Sequence, residues 1–127
     1  MPDVRPTLFG EPSDRLAVKV CGLTRLQDAC LAWELGAAAL GFIFHPSSPR
    51  FLSPERAREL RQRLPPEACC VGVFVDRAPG EVVRVAAFVG LEGVQLHGFE
   101  PETAIAAASR PVLKVVRSEA EALACPA

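Results

Sequence analysis

Cys21, Lys19, Arg50 and His97 are the side chains of this 127-residue sequence whose types and placing could do chemistry. Cys21 closes the run Leu16-Ala17-Val18-Lys19-Val20-Cys21, and Gly22, Leu23 and Thr24 follow at once. That reads as a short buried strand ending in a thiol, then turning at a glycine into a helix. Side chains alternate along a strand, so Lys19 and Cys21 share one face and Val18 and Val20 the other. A free thiol has a pKa near ~8.5 and acts as a base near neutrality only beside a positive charge or a helix amino terminus. Lys19 and the helix expected after Thr24 offer both. Position alone favours a blander role, because a strand cysteine is more often an inert small hydrophobe. Arg50 stands in the turn-forming loop His45-Pro46-Ser47-Ser48-Pro49-Arg50-Phe51. There a guanidinium can grip a planar carboxylate through two parallel hydrogen bonds, although a lone loop arginine is more often simply solvated. His97 ends another apolar run and by itself reads as a satisfied core histidine. Lys19 and Lys114 can each be structural, paired with a buried carboxylate.

The elements that must hold these groups repeat one unit. Apolar runs at residues 16–21, 39–44, 70–75, 93–97 and 112–116 read as strands covered on both faces. Between them lie helices with legible ends. Thr24 and Gln27 have capping-box spacing, and so do Ser118 and Glu121. Leu26, Ala29, Cys30 and Trp33 recur at helical spacing, and Gly36 can close that helix in the left-handed conformation. Ser53-Pro54-Glu55 is a cap, a proline at the first helical position and an acid in the first turn. Ala57, Leu60 and Leu64 form its buried stripe, and Pro65-Pro66 stops it. Val82, Val85, Ala86 and Val89 share one face of a third helix ended by Gly90, and Ile105 lies in a short fourth.

Strands alternating with helices imply parallel pairing, in a doubly wound sheet or a (βα)8 barrel. Lys19, Gln95, His97 and Lys114 interrupt otherwise apolar strands. An open sheet would bury them against helices at several kcal/mol for an unpaired charge, whereas a barrel lets them line one shared interior. The barrel is the better fit.

Composition narrows the function classes. Half the residues are hydrophobic and 23% charged, so residues 16–127 can form one packed domain, with residues 1–15 as a flexible polar lead. A net charge of -1, without charge blocks, argues against nucleic acid as a partner. No apolar run approaches the ~20 residues of a membrane span, and the first residues lack a secretory leader, so a cytoplasmic protein is expected. Five cysteines without a Cys-x-x-Cys pair, and two histidines, make neither a zinc site nor a disulfide framework. Cys30, Cys69 and Cys70 read as small buried hydrophobes.

Five stretches then carry a resemblance: Val18-Lys19-Val20-Cys21-Gly22-Leu23-Thr24, Gly41-Phe42-Ile43-Phe44, Ser48-Pro49-Arg50-Phe51, Val71-Gly72-Val73-Phe74-Val75 and Val94-Gln95-Leu96-His97-Gly98. In this order, with Val112-Leu113-Lys114-Val115-Val116 after them, the sequence resembles the phosphoribosylanthranilate isomerases of tryptophan biosynthesis. The resemblance implies an α/β fold, a partial (βα)8 TIM barrel of about five parallel βα units. It implies an aldose–ketose isomerase, formally an intramolecular oxidoreductase, that takes a small phosphosugar and uses no cofactor and no metal. The reaction is an Amadori rearrangement of N-(5'-phosphoribosyl)anthranilate. An acid protonates the ring oxygen, the furanose opens to a Schiff base, a base removes the C2 proton, and the enolamine tautomerises to the ketone. By this resemblance Cys21 is the base, Arg50 contacts the anthranilate part, and His97 and Lys19 line the pocket. Other phosphosugar barrels, such as pentose-phosphate epimerases or indole-glycerol-phosphate synthase, carry other residues at the first strand end.

The family's acid is an aspartate after a sixth strand, and the phosphate loops follow strands seven and eight. No residue here matches them. Either the 127 residues are a piece of a full barrel, inactive alone, or they form a non-catalytic half-barrel whose sheet edges invite another chain. Oligomeric state is left open.

Overall fold

The computed structural model describes residues 5–125, so residues 1–4 of the expected lead segment lie outside it. Five strands and five helices alternate: β1 Lys19–Val20, α1 Leu26–Glu34, β2 Ala39–Ile43, α2 Pro54–Arg63, β3 Cys70–Phe74, α3 Pro79–Val89, β4 Gly93–Leu96, α4 Glu102–Ala107, β5 Val112–Lys114 and α5 Glu119–Ala124. The strands form one parallel sheet in the order β1-β2-β3-β4-β5. This is a half-barrel. No helix among the described residues is long and apolar enough to cross a membrane.

Register separates the two faces of the sheet. Ile43 pairs with Val73, Val73 with Gln95 and Gln95 with Leu113, so these side chains share a face with Lys19, Ala39, Gly41 and Val71. The opposite face carries Leu40, Phe42, Cys70, Phe74, Val94 and Leu96, which pack with Trp33, Ala57, Leu60, Val82 and Ala86 of the helices into the main core. Phe44 and Phe74 stack there with ring centroids 5.2 Å apart. Lys114 pairs with Leu96 and therefore stands on this helix-side face. That corrects the expectation of one polar interior shared by Lys19, Gln95, His97 and Lys114. A strand one residue out of phase would be needed to turn Lys114 inward, and the ladder to β4 fixes the phase.

Helix ends follow local chemistry where nothing competes. Ser53 accepts from Arg56 N at 3.2 Å and Pro54 opens α2. Ser118 accepts from Glu121 N at 3.2 Å, and the Glu121 carboxylate accepts from Arg117 N at 2.6 Å. Gly90 closes α3 at φ 87°. The box expected at Thr24 and Gln27 does not form: α1 starts at Leu26 after an extended Arg25 with no side-chain cap. The sheet holds the chain extended too long for it, because Leu23 N donates to Gly41 O at 3.0 Å.

The lead segment seats against the amino-terminal end of the sheet. The Arg5 guanidinium lies over the Trp33 ring, 3.5 Å from its centroid, and donates to Trp33 O at 2.7 Å and Ala37 O at 3.1 Å. Phe9 occupies the place where a Gly93 side chain would stand; a Cβ there would be 2.6 Å from Phe9 Cζ. Arg5→Ala should cost roughly 1–3 kcal/mol, the sum of a cation–π contact and charge-assisted bonds to carbonyls. Trp33, the single tryptophan, should also shift its emission to the red. An unchanged denaturation midpoint and spectrum would show that the segment is not docked in solution.

Candidate active site at the carboxyl ends of the strands

Cys21 is half-buried and stands just past β1, and a Cβ on the neighbouring Gly41 would be 3.1 Å from its Cα. Lys19 lies two residues below on the same face. Its ammonium crosses the sheet above Gly41 and donates to Gln95 Oε1 at 2.6 Å. The expectation of a carboxylate partner for Lys19 is thus corrected. Its side-chain partner among the described residues is an amide of β4. Gly41 is required there, since a Cβ would sit 3.1–3.2 Å from the lysine tip.

Gly22 turns the chain at φ 78°, in the left-handed region that side chains disfavour. The opened space holds Arg50, whose Cζ would be 2.6 Å from a Cβ at Gly22. Arg50 comes back to the sheet because the loop is tightly turned. Ser48 N donates to His45 O at 3.0 Å, Arg50 N donates to Ser48 Oγ at 3.1 Å, and Phe51 bridges Ile43 in parallel. Its guanidinium donates to Cys21 O at 3.2 Å while remaining exposed, so most of its donors face outward. The two sequence-predicted residues, Cys21 and Arg50, therefore meet at one strand end through the cysteine's backbone carbonyl. His97 is exposed two residues above Gln95, at the same end of the sheet but on β4, three strands from β1. It is no core histidine.

The arrangement offers a half-buried cysteine, an anion-seeking fork bonded to its backbone carbonyl, a half-buried ammonium two residues below and an exposed imidazole at the end of β4. That combination suits proton transfer on a carboxylate-bearing substrate. The other central cysteines are different. Burial pushes the Cys70 thiol up to about 12, and burial followed by the nearby Glu92 carboxylate raises Cys69 as well. Neither thiol is suited to ionise. Among the described residues no cluster of His, Cys, Asp or Glu could hold a metal ion.

Sequence reasoning missed one group of side chains. Glu100 lies buried below the rim between β3, β4 and β5, held by Asp76 N, Gly98 N and Lys114. A carboxylate shortly after a strand end was the available signal, but nothing local tells a buried acid from a solvated one.

Residues 18–124 match the family model described as N-(5'phosphoribosyl)anthranilate (PRA) isomerase. The N-(5'-phosphoribosyl)anthranilate isomerase of Syntrophus aciditrophicus is 59% identical over 83 residues, 65% of this chain and 36% of the relative. The crystal structure of phosphoribosyl anthranilate isomerase from Thermotoga maritima superposes with a TM-score of 0.77 at 44% identity, over 79% of this chain and 50% of that one. A structure of the isomerase in complex with reduced 1-(o-carboxyphenylamino)-1-deoxyribulose 5-phosphate has a TM-score of 0.80 at 42% identity, over 87% and 58%. The chain thus spans about half the length of the relatives it matches. The half-barrel, its strand-end thiol and arginine, and the match over residues 18–124 place the chain in the N-(5'-phosphoribosyl)anthranilate isomerase family.

Proposed function

We propose that these residues form the base-bearing part of an N-(5'-phosphoribosyl)anthranilate isomerase active site, working in the cytoplasm. The observation that carries the reading is the meeting of Cys21 and Arg50 at the end of β1 in a chain of this family. The ligand solved with a relative carries a carboxyphenylamino group on a phosphorylated ribulose skeleton. Arg50 takes the carboxylate of such a molecule through its outward donors. Cys21, as thiolate, then removes the C2 proton of the ring-opened Schiff base, leaving an enolamine that tautomerises to the aminoketose. Lys19 and His97 line the pocket, with Lys19 supplying positive charge beneath the sulfur.

Ring opening needs an acid and the sugar phosphate needs an anchor. Among the described residues no aspartate takes the acid's place, and no glycine-rich loop meets a helix start as a phosphate site requires. The 127-residue chain alone is therefore expected not to turn over phosphoribosylanthranilate. A chimera in which residues 18–116 replace the matching half of the Thermotoga maritima isomerase is expected to do so. A folded but inactive chimera would sink the functional reading, and turnover by the 127 residues alone would sink the need for the second half. A folded, inactive oligomer of the chain together with an inactive chimera would favour a non-catalytic assembly module.

A further inference from the structure

Glu100 is the one charged residue among the buried side chains described, with 3% of its side chain exposed. Its Oε2 accepts from Asp76 N at 2.9 Å, just past β3, and from Gly98 N at 3.1 Å, just past β4. Its Oε1 accepts from Lys114 Nζ of β5 at 3.1 Å. One carboxylate thus joins three successive strand ends.

We infer that Glu100 is a positioning residue: it clamps the carboxyl ends of β3, β4 and β5 together and so sets where the His97 imidazole stands. This rests on the reading of His97 as a pocket residue. The clamp closes around His97 from both sides. His97 N donates to Phe74 O at 2.9 Å, and Arg117 Nη2 donates to His97 O at 2.7 Å. Lys114 Nζ also donates to Gly98 O at 2.7 Å. The Asp76 carboxylate accepts from Phe99 N at 2.7 Å and lies 2.5–2.7 Å from where a Gly98 side chain would begin, so glycine is required there. Asp76 itself adopts a left-handed backbone at φ 50°, a conformation a non-glycine residue keeps only when its surroundings enforce it. The Glu100 and Phe99 bonds at its two ends do so. With its backbone fixed on both sides, His97 keeps only its side-chain torsions free.

Charge, and not only shape, is needed. Glu100 faces donors from three directions, and a glutamine has one oxygen to offer them. Asp76, Lys114 and Arg117 face the carboxylate from the strand ends, and Glu102 of α4 and Glu121 of α5 line the hollow of about 250 Å3 beside it. Burial alone would raise the Glu100 pKa, but the amides, above all that of Asp76, with Lys114 outweigh it and hold the group below the usual carboxylate range. A depressed folded value means the clamp is complete above the unfolded pKa near ~4.3 and is lost only as pH falls through the lower folded value.

Nuclear magnetic resonance of the 127-residue chain tests this without turnover. The sequence has two histidines, so His45→Gln assigns the His97 ring signals. Glu100→Gln is expected to speed amide exchange at His97, Gly98 and Phe99 by about 10- to 100-fold, the effect of losing a charge-assisted hydrogen bond. Leu40 and Phe42 amides should keep their wild-type rates, and the His97 ring shift should move towards that of a free histidine. Wild type should show the same release only on acidification below the usual carboxylate range, and the glutamine variant no such transition. Unchanged rim amides and an unchanged His97 ring in Glu100→Gln would overturn the inference. So would a loss spread equally over β2, which marks general destabilisation. If Glu100→Gln fails to fold, Lys114→Met removes one donor alone, and an unaltered rim in that variant overturns it too. Failure of the isomerase reading would appear in the chimera's turnover and not in these signals.

Discussion

Cys21→Ser, placed in the barrel completed with the Thermotoga maritima half, should lower kcat by about 100- to 10,000-fold, the contribution of a positioned general base. KM should change little, since the substitution removes one polarizable atom and leaves Arg50 and its bond to the backbone carbonyl in place. The physical reason lies in ionisation. A thiolate, and not a thiol, takes up a proton, and Lys19 on the same face is the cation held nearby by Gln95. A serine hydroxyl ionises far above neutral pH and cannot accept the C2 proton. Steady-state kinetics on phosphoribosylanthranilate checks this, and retained kcat would remove Cys21 from the mechanism. Equal losses in binding and rate would instead assign it to substrate contact.

Phe74→Ala should be the most damaging single change to stability, by about 3–5 kcal/mol and a fall in midpoint of order 10–20 °C. Phe74 is 1% exposed and stacks on Phe44 between the sheet and the helices, so its removal leaves a cavity that rigid neighbours cannot fill. Against the 5–15 kcal/mol that holds a typical domain together, this is a large fraction. Phe51→Ala, at a ring 40% exposed, should cost far less. Thermal denaturation followed by circular dichroism separates them; equal losses would mean that the Phe44–Phe74 face is not the core. The same residue carries consequences for the site. Phe74 O receives the His97 amide, so a softened β3 end should also loosen the rim, visible as faster exchange at His97.

Several local signals carried directly into structure. Ser53, Pro54 and Gly90 each act on their own backbone, so their effects need no distant partner. The strands were legible as apolar runs, yet β1 shrank to Lys19–Val20 and β5 to Val112–Lys114. A strand ends where its neighbour stops offering hydrogen bonds, and a neighbour is chosen by the fold. Thr24 and Gln27 failed for the same reason: a ladder bond from Leu23 outcompeted a local cap.

By itself the sequence determined the alternation of strand and helix, the parallel sheet, the thiol at the first strand end and the arginine after the second. These are matters of period, turn chemistry and motif order, all encoded within a few residues of one another. Only the tertiary structure decided that Lys19 answers to Gln95, 76 positions away, and that Lys114 turns to the helices to meet Glu100. It also decided that Arg50 folds back over Gly22 and that Phe9 fills the hollow at Gly93. Which face a polar side chain takes, and what neutralises it there, is set by strand register and by groups far along the chain. No local pattern can contain that information.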